Sequence, residues 1–323
     1  MPIFQDAAAE ILKLRLRPRV LVSGVLHQGS KIVFGGGSKS FKTWALADLS
    51  VSIATKSEWW GLQTKAGKVL YLNFEIQDCF FYDRIEAICK AKGVTLEAGT
   101  LMCVNLRGHP ANFSAILARV ADRISGQDYS LIVVDPVYKG LSGRDENKAG
   151  DITELMNEIE VLGVRTGAAT AFGAHFSKGN QSAKESIDRI SGSGVFARDP
   201  DSILVMTRHE TDDAFTIEAT LRNFPPLAPF CVRWEYPLLR RADNLDPEKL
   251  KKAIGRKKQF EEQKLLDLLQ DRDLTTTEFK DKADEQLGMS KSGFYRMLDQ
   301  AERTKKIEKS KVNEKWHLAA QVP

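Results

Sequence analysis

The chain has no apolar run approaching the roughly 20 residues that a membrane-spanning helix requires. Its first residues lack a charged segment leading into an apolar segment and a cleavage site, so no secretory signal is expected and the cytoplasm is the expected compartment. It has only four cysteines, Cys79, Cys89, Cys103 and Cys231, with no C-x-x-C pair and no metal-ligand spacing. That sets aside a disulfide-stapled scaffold and a zinc module, and predicts buried, reduced thiols. Most of the chain also lacks an excess of either charge. Residues 1–248 hold 29 Lys and Arg against 30 Asp and Glu, whereas residues 249–323 hold 18 against 13. All of the positive excess therefore sits in the last quarter. A basic tail on a neutral body points to an acidic partner, nucleic acid first. A solvated helical module with no polyanion partner would have the same composition. At 323 residues, 42% apolar and 28% charged, the chain reads as an ordinary globular protein of two domains.

The richest local signal is Ile32-Val33-Phe34-Gly35-Gly36-Gly37-Ser38-Lys39-Ser40-Phe41-Lys42-Thr43, followed by a helix beginning at Trp44. An apolar strand runs into glycines, then into Lys-Thr, then into a helix. Glycines let backbone N–H groups turn toward phosphates, and the helix N-terminus adds its positive dipole end. Residues Gly36, Gly37, Ser38, Lys39, Ser40, Phe41, Lys42 and Thr43 are the expected nucleotide-binding loop for ATP or GTP. Lys42 supplies a charge for the β- and γ-phosphates and Thr43 a hydroxyl for Mg²⁺. The pattern G-x-x-x-x-G-K-[ST] is met at Gly36 but broken at Phe41, where the second glycine belongs. A plain glycine-rich turn between a strand and a helix is the other reading of this stretch.

Strand and helix signals alternate from there. Lys68–Phe74, Leu101–Asn105, Leu131–Asp135 and Ala168–His175 read as strands. Thr43–Ala54, Phe81–Lys92, Phe113–Ile124 and Ile152–Thr166 read as helices. This predicts an α/β fold with a mainly parallel sheet flanked by helices. Ser202–Thr207, Ala214–Leu221 and Val232–Tyr236 are expected to extend it as antiparallel edge strands. Residues 1–242 form the expected first domain and 243–262 a charged linker. Residues 263–323 read as a small α+β domain of winged helix-turn-helix order: three helices, then a basic hairpin. Its expected DNA contacts are Lys291, Tyr295 and Arg296 on the third helix and Lys309 and Lys311 on the wing. A helical assembly module would show the same elements.

Three strands end in residues suited to phosphate chemistry. Val133-Val134-Asp135 delivers a carboxylate that, beside the loop, would hold Mg²⁺ together with Thr43. Leu72-Asn73-Phe74-Glu75 delivers a second, the candidate base, although an acid near a helix N-terminus is also stabilised there without catalysis. Ala174-His175 offers a group for sensing the γ-phosphate, or a structural hydrogen bond.

This set resembles the RecA-like P-loop ATPases, and within them the plasmid and phage branch that includes the hexameric replicative helicase of broad-host-range plasmids. The carriers are residues 36–43, 71–75, 133–135, 175–179 and 191–199; the resemblance spans about residues 20–240 and leaves out the tail. It implies a RecA-like fold, ATP and Mg²⁺ as cofactors, and catalytic roles for Glu75, Lys42 and His175. It also implies a homo-oligomer, such as a ring, whose sites are completed by a neighbour's arginine, with Arg198, Arg208 and Arg222 as candidates. The polar stretch from Ser177 to Ser191, with Lys178, would touch the DNA backbone. The expected function is a DNA-associated ATPase of mobile-element type, helicase- or loader-like. An ATP-switched site-specific DNA-binding regulator and a scaffold with weak ATPase activity are the other readings.

Overall fold

The computed structural model describes residues 5–13, 17–108, 113–141, 148–175, 189, 195–251, 262–310 and 312–319. The chain divides into two compact units, Met1–Ala253 and Ile254–Pro323. The first opens with α1 (Ala7–Leu12), a two-stranded hairpin of β1 (Val20–Val22) and β2 (Leu26–His27), and β3 (Lys31–Gly36). Then follow α2 (Lys42–Thr55), β4 (Lys68–Asn73), α3 (Asp78–Lys92), β5 (Leu101–Asn105), α4 (Phe113–Ile124) and β6 (Tyr129–Asp135). A 3-10 turn, Val137–Leu141, leads to α5 (Ala149–Thr166), β7 (Ala169–His175) and α6 (Val195–Arg198). The last strands are β8 (Ser202–Arg208), β9 (Ala214–Leu221), β10 (Phe230–Glu235) and β11 (Leu238–Arg241).

Nine of these strands form one sheet, in the order β11-β10-β9-β8-β3-β7-β6-β4-β5. From β8 to β5 every pairing is parallel. β9, β10 and β11 continue it antiparallel. The Ser202–Thr207 run, expected as an antiparallel edge strand, is instead an interior strand parallel to β3. Its burial explains this: Ser202–Thr207 is buried on both faces, as an interior parallel strand must be.

Side chains alternate between two cores. Val69, Tyr71, Leu131, Val133 and Ala171 face α2 and α3 in one. Leu70, Leu72, Ile132, Val134 and Phe172 face α4 and α5 in the other. Residues 243–251, which their charge and Pro247 assign to the linker, hydrogen-bond to this unit: Lys251 N–H donates to Arg208 O, and Thr216 Oγ1 donates to Pro247 O. Cys231 is buried as expected, but Cys79 is exposed on the first turn of α3.

The second unit comprises α7 (Glu262–Asp267), α8 (Thr276–Leu287), α9 (Lys291–Arg303) and a hairpin of β12 (Ile307–Lys309) with β13 (Trp316–Leu318). Thr275 and Glu278 close a capping box at the start of α8. Leu265, Phe279, Phe294, Leu298, Ile307 and Trp316 share one small core. Trp316 also bridges to Leu274 and donates its indole N–H to Thr276 Oγ1 at 2.9 Å.

α2 is buried along most of its length, from Ala45 to Ile53, so its polar groups must be satisfied internally. Asp48 is paired there with Lys92 at 2.8 Å, the two side chains being 4% and 10% exposed. Burial pushes the Asp48 carboxyl up, and Lys92 opposes it. Lys92→Met strands that carboxylate and is expected to cost roughly 3 kcal/mol in a urea unfolding series. Asp48→Ala in the same background is expected to recover part of the loss; a cost for Lys92→Met below about 1 kcal/mol would mean the pair is solvated.

Candidate functional site

Parallel register brings the strand tips together. Gly36 at the end of β3 pairs with His175 at the end of β7, and Asn73 at the end of β4 pairs with Asp135 at the end of β6. The loop Gly37–Phe41 then turns from β3 into α2. Gly36 has a steric reason to be glycine: a β-carbon there would lie 2.7 Å from Ser40 Oγ and 3.3 Å from Lys42 Cδ. Ser40 Oγ donates to Gly37 O at 2.7 Å and tightens the arch. The N-cap position of α2 is Phe41, which makes no side-chain cap, so the first N–H groups of the helix are left for another acceptor.

Lys42 folds back on the arch. Its Nζ donates to Gly36 O at 2.9 Å and Gly37 O at 2.7 Å, and lies 3.5 Å from His175 Nδ1. Burial lowers its pKa to about 8, against the pull of Asp135 and Glu75. Asp135 is 5% exposed. It accepts a hydrogen bond from Tyr71 Oη at 2.7 Å and another from the Thr43 hydroxyl. Burial raises its pKa despite those donors. Glu75 is exposed, two residues past the tip of β4. The turn that presents it is held by Asn73, whose Oδ1 accepts from Glu75 N–H at 3.3 Å and Ile76 N–H at 3.0 Å.

A cavity of about 590 Å³ gathers these groups. It is lined by Ser38–Thr43, Glu75, Asp135 and His175, and by Phe80, Arg84, Arg107 and Tyr138, which sequence reasoning did not single out. Tyr71 also escaped it. The signal was a phenol in a buried apolar strand, which needs a hydrogen-bond partner. The donor set fits Mg²⁺: a buried carboxylate and a hydroxyl joined to each other beside a loop shaped for phosphate oxygens, which a hard, water-retaining cation prefers.

Phe41 stands in the left-handed region, φ 62° and ψ 19°. That conformation costs a residue with a β-carbon roughly 1–2 kcal/mol, and glycine almost nothing. The ring stacks on Trp234, with centroids 4.1 Å apart and planes 14° apart, and meets Phe215 edge-on at 5.9 Å. Aromatic pairs contribute about 0.5–1.5 kcal/mol each beyond burial, so two such contacts are of the size needed to offset the strain.

The candidate arginines do not line this cavity. Arg208 ends β8 two residues beyond Met206, the β8 partner of Gly36, and is exposed. Arg222 donates to Arg198 O at 2.8 Å and faces Asp201 at 3.6 Å. Lys178 and Lys311 lie outside the described residues, as does most of the polar stretch before Ser191. Arg189 within that stretch is described: it is buried, donates to Thr207 Oγ1 at 3.0 Å and pairs with Glu218. In the second unit, Lys291, Tyr295 and Arg296 are exposed on α9, whose buried stripe is Phe294, Met297, Leu298 and Ala301; Lys309 is exposed on β12.

No curated protein matches the chain. A family model described as an AAA domain matches residues 4–181. The matched segment holds the whole loop, Glu75, Asp135 and His175, and stops before β8 and the second unit. With more than half of its length so matched, the chain belongs to the AAA domain family of P-loop ATPases.

Proposed function

We propose that the chain is a Mg²⁺-dependent ATPase that works on DNA as an oligomer, helicase- or loader-like and of plasmid or phage type. The observation that carries the nucleotide part is the convergence of Lys42, Thr43, Asp135 and Glu75 on one cavity at the uncapped N-terminus of α2. The loop N–H groups bind the phosphates. Lys42 exchanges the Gly36 and Gly37 carbonyls for β- and γ-phosphate oxygens. Thr43 and Asp135 hold Mg²⁺, which when bound neutralises charge developing on the phosphates. Glu75 accepts the proton of the attacking water, and His175, beside Lys42, reports on the γ-phosphate. Of the three arginines, Arg208 is the best placed to act on a neighbouring copy, because it ends a strand at the same sheet edge as the loop.

The DNA part rests on the tail. A helix whose outer face carries Lys291, Tyr295 and Arg296, followed by a hairpin with Lys309, has the chemistry of a major-groove helix and a phosphate-contacting wing. Lys311 and, in the first unit, Lys178 belong to the same proposal. The tail also favours the second reading, an ATP-switched regulator that binds a duplex site.

Lys42→Ala is expected to abolish ATP binding measured by calorimetry. Glu75→Gln is expected to keep ATP bound and slow hydrolysis by at least ~10²-fold, the scale of losing a positioned base. Normal turnover in Glu75→Gln would move the base elsewhere.

Tyr71→Phe removes the buried donor to Asp135. It is expected to raise the Mg²⁺ concentration for half-maximal ATPase about 10-fold, the usual cost of losing a group that orients a metal ligand. Mg²⁺-free nucleotide affinity is expected to hold, and an unchanged Mg²⁺ requirement would leave Tyr71 only a packing role.

Removing residues 254–323 is expected to remove most duplex affinity and spare basal ATPase. In the full chain, Lys309→Ala is expected to lower the salt slope of DNA binding by about one unit, whereas Arg296→Ala alters sequence preference. Full duplex affinity after truncation would make the tail an assembly module.

A further inference from the structure

The phosphate loop lacks a glycine at Phe41, yet the backbone there adopts the left-handed conformation that a glycine adopts freely. The residues that meet the Phe41 ring come from the antiparallel extension of the sheet. Trp234 lies on β10 and Phe215 on β9, both beyond the segment that matches the AAA domain. Trp234 is itself held in place. Its backbone N–H donates to Asp213 O at 2.7 Å, and its ring packs against Trp44 at 5.3 Å. Trp44 is the residue after Thr43, and Arg84 caps its ring at 4.7 Å. Both ends of the Lys42-Thr43 pair are thus tied by aromatic contacts to one tryptophan.

We propose that Trp234 is a positioning residue for phosphate binding. By stacking on Phe41 it holds the loop in the left-handed conformation, and so aligns the loop N–H groups and Lys42 in advance of the ligand. The ring pair does by tertiary contact what glycine does by conformational freedom. The inference rests on the reading of the loop as the nucleotide site, and its ligand is the phosphate chain rather than the base. An aromatic cluster beside a phosphate loop also suits stacking on a nucleobase, and the two roles predict different results.

The test uses the full chain and two probes: Mg²⁺-ATP and Mg²⁺-tripolyphosphate, which has no base. Phe41→Ala and Phe41→Gly both remove the ring, but only alanine retains the left-handed penalty. Phe41→Ala is expected to bind tripolyphosphate roughly 10-fold more weakly than Phe41→Gly. Trp234→Ala and Trp234→Leu are expected to weaken both probes about equally, again roughly 10-fold, in the Phe41 background. Combined with Phe41→Gly, either Trp234 substitution is expected to cost less than about twofold, and Trp234→Tyr alone to restore most of the affinity.

Equal binding by Phe41→Ala and Phe41→Gly would overturn the proposal. So would a Trp234 effect that persists undiminished beside Phe41→Gly, or one seen with ATP and absent with tripolyphosphate, which would assign the ring to the base. Circular dichroism checks the fold of each variant; should Trp234→Ala not fold, Trp234→Leu alone and beside Phe41→Gly decides that arm, together with the Phe41 pair. A wild-type chain that binds neither probe would overturn the nucleotide reading and this inference with it. A wild-type chain that binds both probes without this pattern would overturn this inference alone.

Discussion

The pairing register of the parallel strands is the constraint on which the rest of the first unit depends. Because side chains alternate along a strand, a slip of one residue exchanges its two faces. With Gly36 opposite His175 and Asn73 opposite Asp135, four strand tips finish at one edge, and α2 starts from that edge. A slipped β4 would turn Tyr71 away from Asp135 and into the opposite core. A slipped β6 would do the same to the carboxylate. The two apolar cores prevent this, since Val69 and Tyr71 fill one and Leu70 and Leu72 the other. The chemistry of the site is therefore held by hydrophobic burial some distance from it.

Electrostatics at that edge follow from the same burial. Lys42 and Asp135 are both held where water is scarce, so each is pushed toward its neutral form, the lysine down to about 8 and the carboxyl upward. Lys42 and Asp135 partly support each other's charge, and Glu75 supports Lys42 while opposing Asp135. Lys42 nonetheless spends its hydrogen bonds on the carbonyls of Gly36 and Gly37, and Asp135 spends its own on Tyr71 and Thr43. A polyanion brought in with a divalent cation would offer both groups stronger partners: phosphate oxygens for the ammonium and a metal for the carboxylate. Both groups of such a site have partners without the proposed ligand and still have much to gain from it.

The parts of this structure that were legible in the sequence are those with a strict local period or a fixed spacing. Buried strands alternating with helices gave the α/β order, and the carboxylates closing β6 and following β4 could be named because each stands at the end of an apolar run. The hairpin of β1 and β2 was not legible, since Val20–Val22 and Leu26–His27 are too short to show a period. β8 runs parallel to β3, against the antiparallel expectation, because burial on both faces, not the lack of a long helix after it, decides parallel placement. Asn73 lies inside the 71–75 segment, but its grip on the Glu75 turn is a side-chain contact that the segment does not announce; Arg84 and Arg107 line the cavity from positions whose spacing carries no motif. Phe41 was visible only as a defect; its partner Trp234 lies nearly two hundred positions away, and no local pattern connects them.

That long-range partnership changes what the family match means for the site. A glycine in a phosphate loop makes the loop's shape a local property, available to any strand-loop-helix unit. A phenylalanine in the left-handed region makes the same shape depend on rings supplied from elsewhere. Here they come from β9 and β10, which join the parallel sheet through β8 beside β3. The antiparallel extension is therefore more than an edge added to the matched domain, because a loop with this sequence would be strained without it. β10 is fixed in turn by β11, with Trp234 opposite Leu239, and β9 by residues 243–251, where Thr216 bonds to Pro247. The structural unit that supports the loop thus extends well past the matched segment, to the residues that close the first compact body.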